Sequence, residues 1–382
     1  MITNGSTSRN LLKYFLISLF IALSTFTLSS CGTLEPAFSA GKAILEFVRS
    51  STSQALTPTA IQPTATQTIT PTPTVTLTPS LTNTPTNTSS PTNTPAPVIL
   101  VTATPTNTET PEPTQILATP VLLVGAGDIS ICGHDGDDET AILIESIPAK
   151  LFTAGDNSNE DGAPYQYRDC FGPTWGKFKD RMHPSIGNHD YGYDDGLSYF
   201  KYFGDRAGQK RKGYYSYDLG VWHIIVLNSN CSFVDCSRGS AQEKWLKADL
   251  AKHAKRCTLA YWHHPLFSSG PDGKNKRTIP FWNALYDAGV EVVVNGDSHF
   301  YERYAPQTPE GDLDFENGIQ QFIVGTGGAK LVDFAKILPN SRARDNSTFG
   351  VIQFTLWPDS YEWLFIPTEP GGYSDSGSAA CH

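Results

Sequence analysis

Val121-Leu122-Leu123-Val124-Gly125-Ala126-Gly127-Asp128 is an apolar run that stops abruptly in small residues and a carboxylate. It reads as a buried strand with Asp128 at its C-terminal edge. Moving outward from it, Asp137 to Ile147 has helical spacing, and Ala149 to Asp156 repeats the first pattern, closing in Gly155-Asp156-Asn157. A third run reaches Ile186-Gly187-Asn188-His189-Asp190. Cys257 to Trp262 leads into His263-His264-Pro265, and Val290 to Val294 into Asn295-Gly296-Asp297-Ser298-His299. In α/β sheets the loops beyond the carboxyl ends of strands form the binding crevice, so these residues are expected to converge there. One Gly-Asp after a strand is commonly a turn, and one histidine is commonly an ordinary polar residue. Turn chemistry gives no reason for Asp and His to recur at five strand ends.

The segment before this run has another character. Of 27 prolines, 13 lie between Pro58 and Pro120, where there is no Phe, Trp or Tyr and the only charges are Glu109 and Glu112. No packed core can form there. Residues 51–120 therefore read as a Thr/Pro-rich disordered stalk, favouring extended polyproline II at about 3.1 Å per residue. Residues 1–30 carry Arg9 and Lys13 and an apolar run from Tyr14 to Leu28, shorter than the roughly 20 residues a spanning helix needs. That length fits a signal peptide. Leu28-Ser29-Ser30-Cys31-Gly32 resembles the bacterial lipobox, which implies lipidation of Cys31 and a short mature segment over 31–50. The expected location is thus the outer face of a bacterial membrane, at the cell surface or in the periplasm, with the lipid on Cys31 as membrane anchor.

The 382 residues carry a net charge of -10, and residues 121–382 account for all of it, with 24 basic and 34 acidic side chains. This argues against nucleic-acid binding through a basic surface. The 262 residues of that segment suit one large domain. Setting Cys31 aside leaves six cysteines, which allow 15 pairings. Cys231 and Cys236 bracket a short polar loop and are the expected partners. Cys132 with Cys170 and Cys257 with Cys381 are conjectured for the rest. No Cys-x-x-Cys points to thiolate metal binding instead.

Gly127-Asp128, Gly155-Asp156-Asn157, Gly187-Asn188-His189-Asp190, His263-x-Pro265 and Gly296-x-x-His299 stand in the order found in the calcineurin-like metallophosphoesterases, and the domain resembles that superfamily. Tyr301-Glu302-Arg303 and Gly325-Thr326-Gly327-Gly328 are similar to its purple acid phosphatase branch. The resemblance implies a four-layer α-β-β-α sandwich of two mixed sheets and a small phosphate-ester substrate. It also implies two divalent or trivalent ions (Fe, Mn, Zn or Mg) that activate a bridging hydroxide. On that pattern Asp156 bridges the ions, Asp128 and His299 hold the first, and Asn188 and His263 hold the second. His189 is implied as proton donor to the leaving oxygen, with Asp190 orienting its imidazole. His264, beside a ligand position, is expected outside the ligand set or at the substrate. His134, His183, His223 and His253 are read as surface or core residues.

Three positions depart from the pattern. Ser130 stands where many superfamily members have a ligating histidine, and Asn159 where the purple branch has a tyrosine. Asp297 replaces the first histidine of Gly-His-x-His. Asp297 can still ligate, favouring Mn or Mg over Zn. The first ion's remaining ligand is left among Asn159, Ser130, water and His134, which predicts a weaker first site.

The expected activity is phosphomonoester hydrolysis. A phosphodiesterase or nucleotidase is the alternative, with Trp262, Phe267, Phe300 or Tyr301 either stacking a base or filling the core. A tethered, non-catalytic binding module is a third reading. The basic run Lys210-Arg211-Lys212 is either a phosphate contact or a solvated loop.

Overall fold

The computed structural model describes residues 119–253, 257–271 and 273–382. The expected signal peptide, the mature segment 31–50 and nearly all of the stalk lie outside the described residues. The first sheet has six strands in the order β13 (Ser376–Ala380), β12 (Ser360–Pro367), β11 (Gly350–Leu356), β1 (Val121–Ala126), β2 (Lys150–Ala154), β3 (Met182–Ser185). The second has seven, in the order β10 (Ser341–Asp345), β8 (Tyr301–Tyr304), β9 (Gln320–Val324), β7 (Val292–Asn295), β6 (Thr258–Tyr261), β5 (Trp222–Val226), β4 (Tyr215–Leu219). Both sheets are mixed. β1, β2 and β3 run parallel, as do β5, β6, β7 and β9.

Alternation along the strands explains the layers. Val292 and Val294 face the core shared with the first sheet, while Val293 faces a second core. Ile224 and Val226 divide from Ile225 in the same way. A strand buried on both faces reads as an apolar run, which is why the segment ending at Val294 is legible in the sequence, whereas β5 is not among the runs singled out there. Phe152 of β2 meets Tyr261 of β6 at 5.2 Å between ring centroids, closing one sheet on the other.

Helices cover the outer faces. Helix α1 (Gly136–Ser146) opens with Asp137, Asp138 and Glu139 in its first turn, where carboxylates suit the helix dipole. It ends before Ile147, whose extended backbone is what a following proline demands. Leu197–Phe203 forms the short helix α2. Helix α3 (Ala241–Lys252) is capped by Ser240, whose hydroxyl accepts from the Glu243 N–H at 3.1 Å. The Glu243 carboxylate accepts in return from Gly239. Helix α4 (Ile279–Asp287) sets Phe281, Trp282 and Leu285 against the second core.

All three expected disulfides are formed: Cys132–Cys170, Cys231–Cys236 and Cys257–Cys381. The last ties the start of β6 to the residue after β13, and so joins the two sheets. Among the described residues no helix is long and apolar enough to cross a membrane.

Candidate metal centre

Each site residue lies just past the carboxyl end of a parallel strand: Asp128 after β1, Asp156 after β2, Asn188 after β3, His263 after β6, and Asp297 and His299 after β7. The turns that carry the acids are special. Asp128, Asp156 and Asp297 all have left-handed backbone, with φ of 58°, 47° and 68°. Such residues cost about 1 to 3 kcal/mol each and persist where the surroundings over-determine them. The surroundings here are close. A Cβ on Gly187 would stand 2.0 Å from Asp156 Oδ1, and Gly155, at φ 86°, packs against the His263 ring. The Gly325–Gly328 segment braces the first turn, with Gly327 N–H donating to the Gly127 carbonyl and Ala329 N–H to that of Asp128.

The imidazoles are fixed by backbone carbonyls. A carbonyl can only accept, so Nδ1–H of His263 donates to Ala154 (2.9 Å) and Nδ1–H of His299 to Lys330 (2.8 Å). Each Nε2 is therefore turned inward as the ligand-competent atom. Three oxygens face His263 Nε2: Asn188 Oδ1 at 2.9 Å, Asp156 Oδ2 at 3.3 Å and Asp297 Oδ1 at 3.5 Å. Asp128 Oδ1 faces His299 Nε2 at 3.3 Å and is buried without a hydrogen bond. Of the six residues named as ligands in the sequence, Asp156, Asn188, Asp297 and His299 line one cleft of about 240 Å³ together with His189, whose Nε2 lies 3.9 Å from Asp156 Oδ2, while Asp128 and His263 are fully buried and touch these four through the contacts just given.

Electrostatics point to cation binding. Burial alone lifts the Asp156 carboxyl, but the His263 imidazole overrides it and holds the acid down at about 2. Burial works against a proton on His299, yet the neighbouring Asp128 pushes its pKa up to about 9. Carboxylates this deeply buried need positive charge beside them. Among the described residues, donors from Asp128, Asp156 and His263 lie within 4.8 Å of one another, as do those from His263, His264 and Asp297. Hard oxygens, imidazole nitrogens and an orphaned buried carboxylate oxygen fit metal ions of the first transition row or Mg. Asn159 adds to this. Its Oδ1 is buried without a partner, and its amide nitrogen lies 3.5 Å from His299 Nε2. Turning that amide over presents an oxygen at the same place. His134, by contrast, is exposed in its loop.

One expected role is corrected. Asp190 does not orient the His189 imidazole, whose Nδ1–H donates to the Glu160 carbonyl at 2.6 Å. Asp190 is fully buried and accepts from the backbone of Asn157, Ser158 and Gly187, the Asn157 amide and the Tyr167 hydroxyl. It clamps the loops after β2 and β3 together. Trp262, Phe267, Phe300 and Tyr301 are core residues at 0–2 % exposure, so none offers a face for a base. Lys210-Arg211-Lys212 is an exposed loop. His264 lies nearer the donors than the sequence led one to expect, with Nε2 3.8 Å from Asp297 Oδ1.

This architecture, two mixed sheets with helices and a polar cleft at the strand ends, is the metallophosphoesterase fold. The chain is similar in fold to a purple acid phosphatase, PPD1 of yellow lupin, with a TM-score of 0.58 at 18% identity over 69% of this chain and 54% of that one. It is also similar to GAP50, the anchor in the inner membrane complex of Plasmodium, with a TM-score of 0.51 at 13% identity over 68% and 88%. In sequence it is 27% identical to Purple acid phosphatase 15 of Arabidopsis thaliana over 173 residues, 40% of this chain and 32% of that protein. It is 35% identical to Purple acid phosphatase 22 of the same plant over 98 residues, 24% and 22% of the two chains. The chain thus spans less than a third of the length of either relative. No family model matches the chain.

Proposed function

We propose that residues 121–382 form a metal-dependent hydrolase of phosphate esters, acting chiefly on monoesters. The observation that carries this is the convergence of Asp128, Asp156, Asn188, His263, Asp297 and His299 beyond the strand ends, with both ring Nε2 atoms aimed at their oxygens by carbonyl-bound Nδ1–H groups. Asp128, His299 and Asn159 would hold one cation, Asn188, His263 and Asp297 the other, and Asp156 would face both. Bound cations would polarise the phosphoryl oxygens and lower the pKa of an attacking water. The protein's own share is positional. His189, tethered at Nδ1 to Glu160 and 40% exposed, presents Nε2 to the cleft mouth as proton donor to the leaving oxygen. The likeness to purple acid phosphatases supports the reaction class, and the core placement of the nearby aromatics favours small esters over nucleotides.

The deciding assay is turnover of p-nitrophenyl phosphate and its bis ester by purified residues 121–382 with Mn, Mg, Zn or Fe. We expect monoester turnover that falls about 10²–10⁴-fold in His189→Ala while metal content is unchanged. Bound metal with no turnover under any ion would favour a binding module instead, as the anchor role of its fold relative from Plasmodium illustrates. We further propose that the domain is tethered through lipidated Cys31 to the outer face of a bacterial membrane. In a bacterial host, Cys31→Ser should move the protein from the membrane fraction to the soluble one; retention in the membrane would sink this placement.

A further inference from the structure

We infer that His264 is a ligand of the second cation, supplying the imidazole that position 297 lacks. The inference rests on the dinuclear reading above. Asp297 stands where the resemblance places a histidine, so the second site has exchanged a neutral nitrogen donor for a charged oxygen. The neighbouring residue makes good the loss. His264 Nε2 lies 3.8 Å from Asp297 Oδ1, and His263 Nε2 lies 3.5 Å from the same oxygen. The distance of 3.8 Å is too long for a hydrogen bond. Donors sharing one ion at about 2.1 Å stand roughly 3 to 4 Å apart, the spacing seen here.

The ring is also supported as a ligand would be. Its side chain is only 18% exposed. The two rings cross at 79° with centroids 4.9 Å apart, so both edges reach Asp297 without stacking. Ser229 Oγ accepts from the His264 backbone N–H at 3.0 Å and lies 2.8 Å from Nδ1. With the proton on Nδ1 donated to that hydroxyl, Nε2 is left free to bind, the arrangement a ligating histidine needs. Ser229 is itself held rigid. The adjacent Asn228 exchanges two bonds with Gln242 of α3, at 2.8 and 2.9 Å, and the Cys231–Cys236 bridge closes the loop. Pro265 restricts His264 to extended backbone.

Cobalt(II) is the probe. Titration of the cation-free domain followed by calorimetry should give two bound ions, and proton NMR should show three hyperfine-shifted exchangeable ring N–H signals, from His263, His264 and His299. His264→Ala should remove one signal and weaken the second ion more than about 100-fold, beyond the roughly 10–100-fold cost of losing an outer partner. His264→Gln, which preserves volume, should do the same. Adding Asp297→His to His264→Ala should restore affinity to within about tenfold, which a purely structural role for His264 would not allow. Circular dichroism of the cation-free variants checks that they fold. Two ions bound with unchanged affinity in His264→Ala, and only two shifted signals in the parent, would overturn the inference while leaving the proposed function intact. Failure of the parent to bind cobalt would overturn the functional reading itself.

Discussion

Asp190 shows how far a single side chain can be from the role its position suggests. It follows His189 directly, but its carboxylate points away and collects donors from Asn157, Ser158, Gly187 and Tyr167. Asp190→Asn would set an amide N–H among donors of which only the Tyr167 hydroxyl can also accept. The buried donors left without an acceptor should cost about 2 kcal/mol or more, lowering the unfolding midpoint by roughly 4–8 °C in a domain of this size. Calorimetry of the cation-free variant checks this. An unchanged midpoint, with lost turnover alone, would return Asp190 to the catalytic role it was first assigned. The acids 128, 156 and 297 were readable because a strand period followed by a turn residue is a local signal. The tasks of Asp190, Glu160 and His264 were not, because their partners come from other loops: His189 meets the Glu160 carbonyl 29 residues away, and His264 meets Ser229 35 residues away.

At the scale of elements, helix α3 is pinned to the edge of the second sheet by charge. His223 of β5 places Nε2 2.8 Å from Asp249 of α3 and Nδ1 3.0 Å from Asp218 of β4, while Asp249 also accepts from Ser216 at 2.9 Å. His253 lies 3.2 Å from Asp249 and its ring stacks on His223 at 4.8 Å. Burial alone disfavours a proton on His223, but Asp249 and Asp218 outweigh it and raise its pKa. Burial is the largest single influence on Asp249 and lifts it, but the bonds from His223 and Ser216 and the charges of His223 and His253 together outweigh it, so its pKa falls. A raised histidine pKa gives stability that is full below about 6.5 and is lost as pH rises through the folded value. A depressed carboxyl pKa gives stability present above its ordinary value and lost on acidification. The pair thus holds α3 best in mild acid. The difference in unfolding free energy between the parent and His223→Gln should be larger at pH 5.5 than at pH 9, measured in urea. A difference independent of pH would rule out the protonated pair. The sequence showed these histidines only as members of no motif, since the contact spans 26 residues and depends on how α3 packs.

For the whole molecule, the bond that matters most is Cys257–Cys381. It closes a loop with a sequence separation of 124, between two sheets. By the chain-entropy argument such a closure is worth about 4 to 5 kcal/mol, against about 2 for the short Cys231–Cys236 loop. Replacing both Cys257 and Cys381 by Ser should lower the unfolding midpoint by about 10 °C or more, whereas the Cys231/Cys236 pair should cost less than half of that. Scanning calorimetry of the two double variants decides the order. The apolar strand runs, the strand-end acids and the short cysteine loop were visible from one sequence. Which sheet each strand joined, and that the last cysteine latches one sheet to the other, depend on contacts that no local pattern records. The three left-handed acids carry one more consequence. Their turns are held by the chain's own hydrogen bonds, such as Asp297 N–H to Asp128 Oδ2 at 2.9 Å, so the proposed ligand cage would be assembled by folding. Loading an ion then demands no rearrangement of the backbone. The apo protein is accordingly a bench reagent: one preparation, stripped once, should accept a series of different ions by simple mixing, within the dead time of a stopped-flow instrument.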